Sequence, residues 1–161
     1  MRFIGSALVA SAIVLGACGG GEKAPADNGT AAAASAAAAT GTAAPITGTT
    51  HEVKMYGDPK DGYKFEPKDI TLKAGDGIKF IVVGIGPHNV AFNPDSIPAD
   101  VKGQLDANMG ADNKLGPLSS KLLMAAGESI TISFANIKPG TYAFNCTPHL
   151  AMGMKGTVTV Q

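Results

Sequence analysis

Two regimes of patterning divide the chain. From His51 onward, apolar and polar residues alternate in short runs broken by turn signals, whereas no such period holds before it. Side chains of a strand point alternately to opposite faces, so period-2 runs of this length predict half-buried β-strands. Glu52-Val53-Lys54-Met55-Tyr56 alternates in this way. Ile78, Phe80 and Val82 share one face of a second run, with Lys79 on the other. Ile130, Ile132 and Phe134 do the same opposite Thr131 and Ser133. Tyr63–Pro67, Asp69–Lys73, the Val90/Phe92 pair, Thr141–Cys146 and Thr157–Val160 complete the set, punctuated by Ala74-Gly75-Asp76-Gly77 and Lys138-Pro139-Gly140. Seven to eight strands without a long helical period predict an all-β, Greek-key β-sandwich. Asp100–Leu123 breaks the pattern: it holds Gly103, Gly110, Gly116 and Pro117 and reads as a long functional or mobile loop with at most one short helical turn.

The aperiodic N-terminal third reads as export and tethering sequence. Arg2 supplies a positive start, and Ile4–Leu15 is an apolar run too short to span a bilayer comfortably. It leads into Leu15-Gly16-Ala17-Cys18, which resembles a bacterial lipobox, with Cys18 as the lipid attachment point. Residues 18–50 are dominated by Gly, Ala, Thr, Ser and Pro and cannot bury a core. As a flexible coil such a segment reaches roughly 30 Å. The expected organisation is a lipoprotein signal peptide at 1–17, a disordered tether at 18–50 and one folded domain at 51–161.

Charge and cysteine count narrow the function. Thirteen basic residues balance thirteen acidic ones, so no basic field exists to gather nucleic acid. With Cys18 acylated, Cys146 is the one remaining thiol of an exported chain. A lone thiol in an oxidising compartment invites damage, and metal ligation accounts for it.

The candidate chemistry lies in two short segments. Cys146-Thr147-Pro148-His149-Leu150-Ala151-Met152-Gly153-Met154 places a thiol, an imidazole and two thioethers in one loop, and Gly86-Pro87-His88-Asn89 supplies a second imidazole stiffened by Pro87. Two imidazoles, one thiolate and a weak thioether make the donor set of a blue-copper electron-transfer site. Spacing alone leaves Met152 and Met154 both open as the thioether. Met55, Met109 and Met124 read as packing residues, and His51 as a solvated residue at the domain boundary.

Gly86-Pro87-His88-Asn89-Val90, Gly140-Thr141-Tyr142-Ala143-Phe144, Cys146-Thr147-Pro148-His149 and Met154-Lys155-Gly156-Thr157-Val158-Thr159-Val160 together resemble the plastocyanin-type cupredoxins, and the copper loop is similar to that of pseudoazurin. The resemblance covers about residues 51–161. It implies one type 1 copper held by His88, Cys146, His149 and Met154, with Asn89 tying its loop to the Cys loop at Thr147. It implies an apolar docking patch of Pro148, Leu150, Ala151, Met152 and Gly153 around the His149 edge, for transient redox protein donors and acceptors. Asn145 stands before Cys146 where plant plastocyanins have Tyr, and Phe92–Pro98 carries one acid, so their acidic docking route is not expected. The expected protein is a monomeric electron carrier, not an enzyme, lipid-anchored on the periplasmic or cell-surface side of a bacterial membrane. Envelope copper storage or delivery is the alternative reading.

Overall fold

The computed structural model describes residues 42–161, apart from Pro59 and Asp61. The signal peptide, Cys18 and most of the tether lie outside the described residues. Among the described residues, ten strands occur in the order β1 (Thr50–Asp58), β2 (Gly62–Glu66), β3 (Asp69–Leu72), β4 (Gly77–Val82), β5 (Ala91–Phe92), β6 (Lys114–Gly116), β7 (Ser119–Ser120), β8 (Ser129–Ser133), β9 (Gly140–Asn145) and β10 (Lys155–Val160). They form two sheets, β2-β1-β4-β8 and β3-β10-β9-β5-β7-β6. This is the expected sandwich, and the strands beyond the expected count include the very short β6 and β7.

The alternating runs bury the faces expected of them. Val53 and Met55 of β1, Ile78, Phe80 and Val82 of β4, and Ile130 and Ile132 of β8 are buried in the core. The second sheet answers with Phe92, Tyr142, Phe144, Val158 and Val160. Phe144 packs edge-on against Phe65 and Phe80, at centroid separations of 4.8 and 5.4 Å, which joins the two sheets by aromatic contact.

The 100–123 region departs from expectation. It opens with a ten-residue helix, α1 (Ala99–Asn108). Only Val101 and Leu105, four residues apart, give α1 a buried apolar stripe, and Gly103 interrupts its centre, so the helical period is faint in the sequence. Polar anchors order the chain beyond the helix: Asp106 accepts from Lys114 Nζ at 2.6 Å and from Leu118 N–H at 2.7 Å.

The packed chain also begins earlier than the boundary at 50/51. Ala44 N–H donates to the buried Asn108 Oδ1 at 2.9 Å, and Thr47 and Gly48 N–H both donate to the Gly75 carbonyl. Thr49 N–H donates to Asp76 Oδ1 at 2.8 Å, and His51 Nε2 lies 3.1 Å from Asp76 Oδ2. His51 is therefore half-buried and paired rather than solvated. Among the described residues, no helix is long and apolar enough to cross a membrane.

Candidate metal centre

The site forms where strands of both sheets run out at one end. After β4 the chain turns through 83–87 and delivers His88 beside Leu123. The two residues exchange backbone hydrogen bonds, His88 N–H to Leu123 O at 2.9 Å and Leu123 N–H to His88 O at 2.7 Å. β9 ends at Asn145, Cys146 follows, and Thr147–Met152 winds into 310 turns. Gly153 then adopts a left-handed conformation, φ 82°, which a glycine takes without steric cost and which reverses the chain into β10. Cys146 N–H to Met154 O and Met154 N–H to His149 O close the loop on itself.

Residues 58 positions apart are thereby brought together. Cys146 Sγ lies 3.4 Å from His149 Nδ1 and 3.7 Å from His88 Nδ1, and the three donor atoms all sit within 4.8 Å of one another. His88 and Cys146 are fully buried, and His149 retains 8% exposure. Of the two candidate thioethers, Met154 is fully buried while Met152 is 59% exposed. Burial thus puts the Met154 side chain inside the domain and the Met152 side chain at its surface. Met55 and Met109 are core residues, but Met124 is largely exposed, contrary to its reading as packing.

Asn89 latches the two ligand loops, as expected from the resemblance. Its Oδ1 accepts from Thr147 N–H at 2.7 Å, and its Nδ2 donates to Thr147 Oγ1 and to Ser119 Oγ, each at 3.2 Å. Ser120 Oγ accepts from Val90 N–H at 2.9 Å, so the β7 serines support the same segment. Two contacts carry no sequence signal. The Tyr63 ring stacks on His149 at 4.2 Å, and buried Gly57 lies against the His88 ring. Tyr63 reads as one more alternating strand residue, and Gly57 as a break in one.

Electrostatics prepares the site for a cation. Burial pushes the Cys146 thiol pKa up, opposed by the backbone N–H groups of Asn89 and His149. Burial lowers the His149 pKa, and it lowers that of His88 with help from the neighbouring His149 charge. The Ile85 carbonyl acts against the His88 shift without completing a hydrogen bond to Nε2. Both rings thus favour the neutral form that ligates metal, and the thiol lacks only a cation to displace its proton.

The donor spacing fits one first-row ion. With metal–sulfur and metal–nitrogen bonds of about 2.3 and 2.0 Å, a sulfur and a nitrogen on the same ion stand roughly 3.3–3.8 Å apart at bond angles near 100–120°. Both observed S···N separations fall in that interval. A soft thiolate beside two imidazoles favours copper over the hard cations.

A two-sheet sandwich that closes a His-Cys-His cluster at one end is the architecture of a cupredoxin. The chain matches the family of copper binding proteins of the plastocyanin/azurin type over residues 51–161 and belongs to it. Among curated relatives, it is 37% identical over 120 residues to plastocyanin from Prochlorothrix hollandica, covering 74% of this chain and 79% of that one. It is 41% identical over 113 residues to plastocyanin from Nostoc punctiforme, covering 70% and 74% respectively. Among solved structures, oxidised plastocyanin from Dryopteris crassirhizoma is 37% identical with a TM-score of 0.52, covering 68% of this chain and 99% of the fern protein. The family is one of copper binding proteins, and His88, Cys146 and His149 form a cluster able to hold such an ion.

Proposed function

We propose that this chain is a mobile electron carrier, not an enzyme, lipid-tethered through Cys18 on the periplasmic or cell-surface side of a bacterial membrane. The observation that carries the redox reading is the buried His88–Cys146–His149 cluster, with buried Met154 following in the same loop. Bound copper supplies a one-electron Cu(II)/Cu(I) couple. Cys146, His88 and His149 would hold it through one thiolate and two imidazole nitrogens, with the Met154 thioether as the fourth donor. The latch from Asn89 to Thr147 fixes the spacing between the two ligand loops, so little protein rearrangement accompanies a change of charge. With all four donors coming from protein, copper held this way would offer no open position to a substrate.

The surface supports transient docking. Pro148, Leu150, Ala151, Met152 and Gly153 are all exposed around His149, whose residual exposure makes it the ligand nearest solvent. Ile85, 72% exposed, and Met124 extend apolar surface beside the His88 loop. A redox protein seated on this uncharged skin exchanges electrons through the His149 ring, and a small apolar contact releases quickly.

The test is copper loading of the full chain followed by visible and electron paramagnetic resonance spectroscopy. The expected result is an intense thiolate-to-copper charge-transfer band with a narrow hyperfine splitting, together with reversible voltammetry. Rapid loss of copper to a mild chelator would instead support delivery. A folded protein that stays colourless after loading would overturn the proposal. For the tether, labelled fatty acid should enter the expressed protein and its membrane fraction, and Cys18→Ser should abolish both.

A further inference from the structure

We infer that Gly57 and Tyr63, one cross-strand pair near the end of the β1–β2 hairpin, hold both histidine rings in ligating orientation before a metal arrives. The two residues face each other in the β1–β2 register. Gly57 is buried, and a Cβ built there would lie 2.3 Å from His88 Nε2 and 2.4 Å from Cε1. Backbone therefore packs against the Nε2–Cε1 edge of the ring, leaving Nδ1 to face Cys146 Sγ. The contact matters because buried His88 Nε2 completes no hydrogen bond, the Ile85 carbonyl acting on the ring without one, so packing against Gly57 helps set the ring's angle. Tyr63 does the corresponding work for His149. Its ring lies over the imidazole at 4.2 Å and 27°, while the His149 neighbours Pro148 and Leu150 point to solvent. A side chain in a short 310 loop with exposed neighbours would otherwise sample other rotamers. Since the two imidazole centroids are only 4.9 Å apart, a single rigid hairpin end reaches both.

These are positioning residues: they touch the ligands, not the metal. The proposal rests on the copper reading for its affinity arm and is independent of it for its structural arm. An aromatic stack of this kind biases an equilibrium about 3- to 10-fold. In the full chain, copper(I) retention against a competing chelator should weaken about 3- to 10-fold in Tyr63→Leu and stay at the wild-type value in Tyr63→Phe. The same pattern should appear in metal-free protein by nuclear magnetic resonance. His149 ring protons should be shifted upfield and show contacts to residue 63 in wild type and Tyr63→Phe, and lose both in Tyr63→Leu. Gly57→Ala should retain its far-ultraviolet circular dichroism yet lose the wild-type absorption band, because the added methyl displaces His88. Wild-type copper retention in Tyr63→Leu, or a wild-type spectrum in Gly57→Ala, would overturn the proposal. If wild type itself takes up no copper, the copper reading fails. The metal-free measurement then decides the proposal, which falls if the His149 ring is equally ordered in wild type and Tyr63→Leu.

Discussion

Asn89→Ala tests the loop latch most directly. The buried amide makes three hydrogen bonds, one from Thr147 N–H and two outward to Thr147 Oγ1 and Ser119 Oγ. Each ordinary bond contributes about 1 kcal/mol net, and the buried asparagine keeps loop ends 58 residues apart in register. Truncation should therefore lower stability by ~3 kcal/mol in the metal-free full chain, read from guanidinium unfolding at fixed m-value. The midpoint of thermal unfolding should fall by about 10 °C for a domain of this size. Ser119→Ala removes one acceptor and should cost about 1 kcal/mol. Combined with Asn89→Ala it should add almost nothing, since the bond it removes is already gone. Copper retention should weaken in Asn89→Ala as well, because the Cys146 loop and the His88 loop lose their direct tie. A stability loss below about 1 kcal/mol, the contribution of a single bond, or full additivity of the two substitutions, would refute the latch.

Cys146→Ser should abolish the charge-transfer band while the protein remains folded, checked by visible absorption and circular dichroism, because the oxygen cannot supply the soft thiolate donor. Leu150→Glu, at a half-exposed position, should leave that band intact and slow electron exchange with redox proteins several-fold at low salt in stopped-flow measurements; unchanged rates would move docking to another face. Asp76 should give the stability curve an acid leg. Hydrogen bonds from Lys73 N–H, the His51 side chain and Thr49 N–H hold its folded pKa at about 2, below the ordinary 3.8. A depressed carboxylate pKa contributes stability that is complete above the ordinary value and is lost as pH falls through about 2. Denaturant midpoints between about pH 5 and pH 2 should therefore fall more steeply in wild type than in Asp76→Asn.

The sandwich and most of the metal site were legible because both rest on local information. Period-2 alternation at Val53/Met55, Ile78/Phe80/Val82 and Ile130/Ile132 decides which face of a strand avoids water, and the structure buries those faces. The Cys146-to-Met154 segment is short enough that one reversal at Gly153 confines its donors to a single loop. The resemblance favoured Met154 over Met152, and the fold supplies a physical difference between them. Both thioethers are chemically equivalent, and only the turn into β10 buries one and exposes the other. α1 stayed hidden because two apolar residues make too weak a stripe to signal a helix, and its burial comes from packing against the sandwich.

The sequence by itself determined the donor chemistry, the strand pattern and the loop that carries Cys146, His149 and Met154. Only the tertiary structure decided how closely His88 meets that loop, that Asp76 and Asn108 bind the chain from Ala44 onward to the domain, and that Gly57 and Tyr63 lie against the imidazoles. The physical reason is range. Alternation and turn chemistry act over a few residues, whereas these contacts depend on strand register, which is set by how the whole core closes.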